Sequence, residues 1–237
     1  MGPVARLKTL LSWSSGKDSA WALHRLRADD RYQVVGLLTT INSAHDRVAM
    51  HAVRMELLRL QAAAAGLPLW SVFIPSPCSN EEYETAMAAA IEQAKAADIA
   101  CIAFGDLFLE DVRAYREAKL APTGITPLFP LWGADTSVLA EEMIEGGLRA
   151  RITCVDPRVM PRELAGQDFD RELIARLPET ADPCGERGEF HTFAYAGPMF
   201  SHPIAIENGA VVERDGFVFA DLWSAEATPP LSYSRAD

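Results

Sequence analysis

The sequence predicts a doubly wound α/β fold on a mostly parallel sheet, followed by a small C-terminal mixed or antiparallel lobe. Three observations predict it. Near-continuous apolar runs alternate with helical stretches as far as Val155, as strands covered on both faces of a parallel sheet do. Small polar residues, Ser14, Ser15 and Gly16, end the first run and open the first helix. After Asp182 the texture changes to short strands separated by turn residues.

Arg6 to Trp13 reads as the first strand, and Ala20 to Ala28 carries helical apolar spacing at Trp21, Leu23 and Leu26. The pattern repeats as strand Val34 to Thr39, a helix from about Val48 to Ala65 closed by Gly66, and strand Leu69 to Ile74. Ser79 with Glu82 forms a capping-box signal for a third helix ending near Asp98, and Ile99 to Phe104 is the next buried strand. Asp111 to Leu120 and Ser137 to Ile144 read as helices, and β-branched Leu148 to Val155 as a strand still within the α/β part. Beyond Asp182, Phe190 to Tyr195, Ile204 to Glu207, Val211 to Arg214 and Phe217 to Trp223 read as short strands, with a hairpin signal at Asp215-Gly216. The division expected is 1–135 for the α/β domain, 136–228 for the second lobe and 229–237 for a tail.

A chain of 237 residues with 49% hydrophobic and 23% charged residues buries a sizeable core. Its net charge of -11 argues against general nucleic-acid binding, which needs clustered Lys and Arg. No run is long and apolar enough for a membrane span and the start lacks a signal-peptide core, so the cytoplasm is the expected address. Cys78, Cys101, Cys154 and Cys184 lie far apart without a C-x-x-C pair, which disfavours a zinc ribbon or an iron-sulfur site.

A loop leaving the carboxyl end of a strand and opening a helix presents free N–H groups and the positive end of the helix dipole, where a phosphate sits. Ser14, Ser15, Gly16, Lys17, Asp18 and Ser19 suit that place: small residues for close approach, hydroxyls as donors and an ammonium. Asp18 is expected to cap the helix or hold magnesium, and Lys17 and Asp18 to lie on an exposed loop with few core contacts. The loop matches neither G-x-x-x-x-G-K-[ST] nor G-x-G-x-x-G. Further on, Cys184 to Thr192 packs Glu186, Glu189, Arg187 and His191 into a glycine-broken segment entering a strand. Two nearby carboxylates can hold magnesium, orient an amine or accept a proton, and His191 can act as acid or base. The plain alternative is a salt-linked hairpin entry.

Ser14 to Ser19 resembles the S-G-G-K-D-S loop of the PP-loop ATP pyrophosphatases, with Ser15 where a Gly is usual. That resemblance implies a HUP-type sheet, cleavage of ATP between the α and β phosphates, and a crevice flanked by the first and fourth strands, with Gly105-Asp106 facing the loop. Gly185 to Thr192 is similar to the G-E-x-G-E-[FY]-x-T element of the diphthine-ammonia ligase family, and Gly197-Pro198-Met199-Phe200 to its G-P-x-F element. Pro127 to Trp132 resembles its P-L-W element, Glu141 to Gly146 its E-M-I-x-x-G segment, and Met50-His51 falls where the family carries a Met and His motif.

The resemblance implies an AMP-forming ligase that uses ATP and Mg2+ to adenylate an acceptor carboxylate for attack by ammonia. Ser14 to Ser19, Gly105 and Asp106 would bind ATP, with Lys17, Asp18, Glu186, Glu189 and His191 catalytic and Asp18 and Glu186 on the metal. Met50, His51, Arg54 and Arg187 would face the acceptor, which the sequence does not identify and which protein-borne diphthine exemplifies. A homo-oligomer is compatible with this reading. Two other readings are a PP-loop enzyme acting on a modified nucleotide and a non-catalytic adenine-nucleotide-binding protein. The acidic charge and missing C-x-x-C disfavour the first, and Lys17 with the Glu186/Glu189 cluster disfavours the second.

Overall fold

The computed structural model describes residues 5–42, 47–48 and 53–225. The first layer is a sheet of β1 (Leu7–Ser12), β2 (Tyr32–Asn42), β4 (Leu69–Ile74), β5 (Cys101–Ala103) and β6 (Thr126–Leu128), all parallel, with the two-residue β3 (Arg47–Val48) antiparallel to the end of β2. β1 lies between β2 and β5, so the strand order reverses at its carboxyl end, where an open α/β sheet forms its ligand crevice. The helices are α1 (Lys17–Arg27), α2 (Met55–Ala65), α3 (Asn80–Ala96) and α4 (Glu110–Leu120).

The second sheet is antiparallel, in the order β8 (Phe190–Ala196), β7 (Arg149–Val155), β10 (Phe217–Ser224) and β9 (Ile206–Arg214). α5 (Thr136–Glu145) and the short α6 (Arg171–Ala175) accompany it. β7, read from sequence with the α/β part, is thus an inner strand of the second sheet. Ile204 to Glu207 and Val211 to Arg214, read as two strands, form the single β9. The residue between them that looks like a turn, Gly209, is there for close approach: a Cβ would lie 2.5 Å from the Trp223 indole nitrogen. The second helix begins at Met55 rather than near Val48, because Val48 pairs with Ile41 and Arg54 is still extended.

Period-2 alternation sorts the parallel strands onto two faces. Leu10, Leu38 and Ile102 enter one apolar cluster with Val72 and Ile91 beneath α3. Leu11, Leu37 and Ala103 enter the other, which runs without a break through α1, α2 and α5 into Ile152, Phe190 and Phe193 of the second sheet. One core therefore serves both layers and fixes the second sheet against the end of β1. The expected capping box at Ser79 and Glu82 is present, both of its bonds made. Among the described residues no helix is long and apolar enough to cross a membrane.

Candidate active site

β1 ends at Ser12, and the chain turns through Ser14, Ser15 and Gly16 before α1 starts at Lys17. Ser15 takes a left-handed conformation, φ 70°, which explains why glycine suits this position: a Cβ there is strained. Its carbonyl accepts from the Ala194 N–H at 2.9 Å and from the Gln61 side-chain amide at 2.9 Å. Gln61 also donates to the Ala194 carbonyl at 2.6 Å and accepts from the Trp13 indole at 2.9 Å. A fully buried glutamine thus locks the loop between α2 and β8.

The second lobe supplies further parts of the loop's surroundings. The Lys17 backbone N–H donates to the Thr192 hydroxyl at 3.0 Å. Asp18 and Ser19, whose N–H groups in the first turn of α1 have no intrahelical carbonyl, line the cleft. The Ser14 and Ser19 hydroxyls lie 3.2 Å apart.

Lys17 itself departs from expectation. It is buried, 2% exposed, between the rings of Phe169 and Phe190, with its ammonium 5.5 and 5.2 Å from their centroids. Its ammonium donates to both Asp18 carboxylate oxygens, at 3.0 and 2.9 Å, and to the Cys184 carbonyl across the lobes. Burial alone would lower its pKa, but the facing Asp18, with Cys184 and Glu186, outweighs that, and the net direction is upward. Asp18, expected to cap the helix or hold magnesium, pairs its carboxylate with Lys17 and also accepts from its own backbone N–H at the start of α1. Burial raises the Asp18 carboxyl, with Lys17 opposing. Neither residue lies on an exposed loop.

A cleft of about 240 Å³ opens over this loop, lined among others by Ser14, Gly16, Lys17, Asp18, Ser19, Gly105, Asp106, Glu186 and His191. β5 borders β1 as expected, and Gly105 at its end packs so closely that a Cβ would lie 3.0 Å from the Asp18 backbone. Glu186 accepts from the Leu107 N–H at 2.7 Å, and its own N–H donates to Asp182 at 2.9 Å. Burial pushes its carboxyl up to about 7, Asp18 and Asp106 adding to the rise, Leu107 and Lys17 opposing it. Burial, with Lys17 nearby, pulls His191 down to about 4, so the imidazole is neutral at pH 7. Burial raises the Cys184 thiol, which donates to the Thr136 carbonyl at 3.4 Å and stays protonated.

Three expected site residues point elsewhere. Glu189 is 5% exposed and turns both oxygens into its own loop, accepting from the Asp182 and Arg187 N–H groups at 2.9 Å each. It shapes the segment and does not line the cleft. The Arg187 side chain is 60% exposed and lies over Phe108. Arg54 pairs with Asp221 and stacks 3.2 Å from the centroid of Trp223. Met50 and His51 lie outside the described residues. Asp106 is held by both arms of a fork from Arg116, at 2.5 and 3.0 Å.

Sequence reasoning missed Gln61 and Arg116. Gln61 is a polar residue on the buried face of an otherwise apolar helix, between Leu58 and Ala62, and an amide buried there needs partners. Arg116 gave no such signal, since an arginine on an amphipathic helix is ordinarily solvated.

The family description "Diphthamide synthase N-terminal domain" matches residues 7–124, and "Diphthamide synthase C-terminal domain" matches residues 135–220. The chain belongs to the diphthine-ammonia ligase-like family of PP-loop proteins. Among curated relatives, the mouse (Mus musculus) diphthine–ammonia ligase is 24% identical over 258 residues, covering 94% of this chain and 88% of the relative. The zebrafish (Danio rerio) enzyme of that name is 26% identical over 231 residues, with 88% and 90% covered. The human (Homo sapiens) one is 24% identical over 210 residues, with 86% and 72% covered.

Proposed function

We propose that this chain adenylates an acceptor carboxylate with ATP, releases pyrophosphate, and lets ammonia displace AMP to give an amide. Membership of the family makes it an ATP-dependent ligase; the products and the acceptor are the added steps. The observation that supports them is that Glu186 and His191 of the second lobe line the same cleft as the phosphate loop. Nucleotide and acceptor chemistry thus share one space.

The acceptor oxygen attacks the α-phosphorus and the bond to the β-phosphate oxygen breaks. The Asp18 and Ser19 N–H groups and the end of α1 hold the phosphates. A free carboxylate is a poor acyl donor, whereas AMP is a good leaving group. Ammonia then attacks the acyl carbon and sheds a proton. Glu186, close to half ionised at neutral pH, is the group placed to take it. Neutral His191 serves as a hydrogen-bonding wall rather than a base.

Among the described residues no cluster of three or more His, Cys, Asp or Glu could hold a metal alone. Mg2+ binds through one or two carboxylates plus substrate phosphates and water. Asp18, sharing its carboxylate with Lys17, would hold it together with the phosphates and water, leaving Glu186 to take the proton, and the metal's charge would ease departure of pyrophosphate. The relatives' name makes a diphthine-like carboxylate the first acceptor to try. Phosphorus NMR of protein with ATP, Mg2+, ammonium and a panel of carboxylates tests the reading. AMP and pyrophosphate are expected; ADP and phosphate alone would sink it.

A further inference from the structure

Among the described residues, Lys17 and Arg116 are the only Lys or Arg that line the cleft, and they are not equally available. The Lys17 ammonium is held by the Asp18 carboxylate and the Cys184 carbonyl, and its side chain is 2% exposed. Its charge is matched by Asp18 before any ligand arrives. Arg116 is also paired, but differently. Asp106 takes its Nε and Nη2 at 2.5 and 3.0 Å, and Phe104 lies under the guanidinium at 4.3 Å. Of its five donor hydrogens, two are engaged in this way. Its side chain is 28% exposed, and the residue lines the cleft. The cleft also carries Glu186, so its fixed groups do not by themselves offset a triphosphate.

We propose that Arg116, clamped by Asp106 and Phe104, is the cation that contacts the β and γ phosphates of ATP and stays on the departing pyrophosphate. This rests on the nucleotide reading above and adds to it the residue that carries the charge. A guanidinium already fixed along one edge presents the other in a set orientation, which loses little further entropy when phosphate oxygens bind. Asp106 is then the orienting carboxylate for Arg116 rather than itself a ligand of ATP.

The test is calorimetric titration of the full chain with ATP and, separately, with inorganic pyrophosphate, each with Mg2+, on wild type, Arg116→Gln, Arg116→Lys and Asp106→Asn. Arg116→Gln is expected to weaken both ligands at least tenfold. Arg116→Lys should recover part of the loss, and Asp106→Asn should weaken pyrophosphate several-fold with Arg116 still present. Wild-type pyrophosphate affinity in Arg116→Gln overturns the assignment, whatever the products of turnover. If Arg116→Gln does not fold, failure of Arg116→Lys to bind less well than wild type overturns it instead. Wild type that binds pyrophosphate and ATP yet releases ADP would remove adenylation and leave the Arg116 contact standing. Wild type that binds neither ligand removes both.

Discussion

The side-chain amide of Gln61 donates to the Ser15 carbonyl at 2.9 Å and to the Ala194 carbonyl at 2.6 Å, so one residue of α2 fastens the phosphate loop to β8. Replacing it by Leu keeps the volume but strands the Trp13 N–H and part of two carbonyls in a dry site. At about 1–3 kcal/mol for each buried group left unpaired, Gln61→Leu should lose about 3 kcal/mol. Urea denaturation measures it, and a midpoint equal to wild type would show that the loop does not depend on this lock.

Lys17 cannot be removed without structural cost. Lys17→Met keeps an apolar stem between Phe169 and Phe190 but leaves Asp18 charged and unpaired, a change of about 3 kcal/mol or more at neutral pH. Burial then holds the Asp18 carboxyl above its unfolded value, so the folded state binds a proton first and the variant regains stability as pH falls. Denaturation at several pH values should show the gap from wild type narrowing toward acid. A gap that widens contradicts the pairing.

Ser15 is left-handed, and its buried hydroxyl has no hydrogen-bond partner. Ser15→Gly relieves both, against a cost of about 0.5–1 kcal/mol for the freer unfolded chain. A net gain of about 1 kcal/mol is expected, read as a higher melting temperature. A lower one would mean that the hydroxyl contributes to the fold.

His191 has a folded pKa of about 4 against 6.5 unfolded, because burial disfavours the imidazolium. Between those values the unfolded chain binds the extra proton. The contribution is therefore complete above about pH 6.5 and is lost as pH falls toward 4, on the order of 3 kcal/mol in all. His191→Gln should flatten that part of the stability profile. Equal slopes in both proteins would refute the assignment.

Much of this was legible in the sequence because it depends on local pattern. The strand, loop and helix around Gly16 follow from the apolar run, the small residues and the helical spacing after them. Glu186 and His191 were legible because charged residues in a glycine-broken turn stand out. What escaped depends on partners distant in the chain. Glu189 carries the same charge as Glu186, and only the fold shows that its oxygens turn back onto Asp182 and Arg187. Lys17 reads as a solvated loop residue until Phe169 and Phe190, more than 150 positions away, close over it. β7 reads like the parallel strands before it, since inner strands of either sheet type are apolar and only pairing distinguishes them.

The bond from Lys17 to the Cys184 carbonyl, together with Thr192 on the Lys17 N–H, ties two segments that evolution could otherwise vary separately. A gene joining the first half of one relative to the second half of another would have to match lysine, threonine and the two covering phenylalanines at once. A chimera joined near the middle of the chain would lose these bonds unless both halves matched. Positions that neither half uses to hold the other, such as the exposed residues of β9 and the solvent side of α3, carry no such constraint.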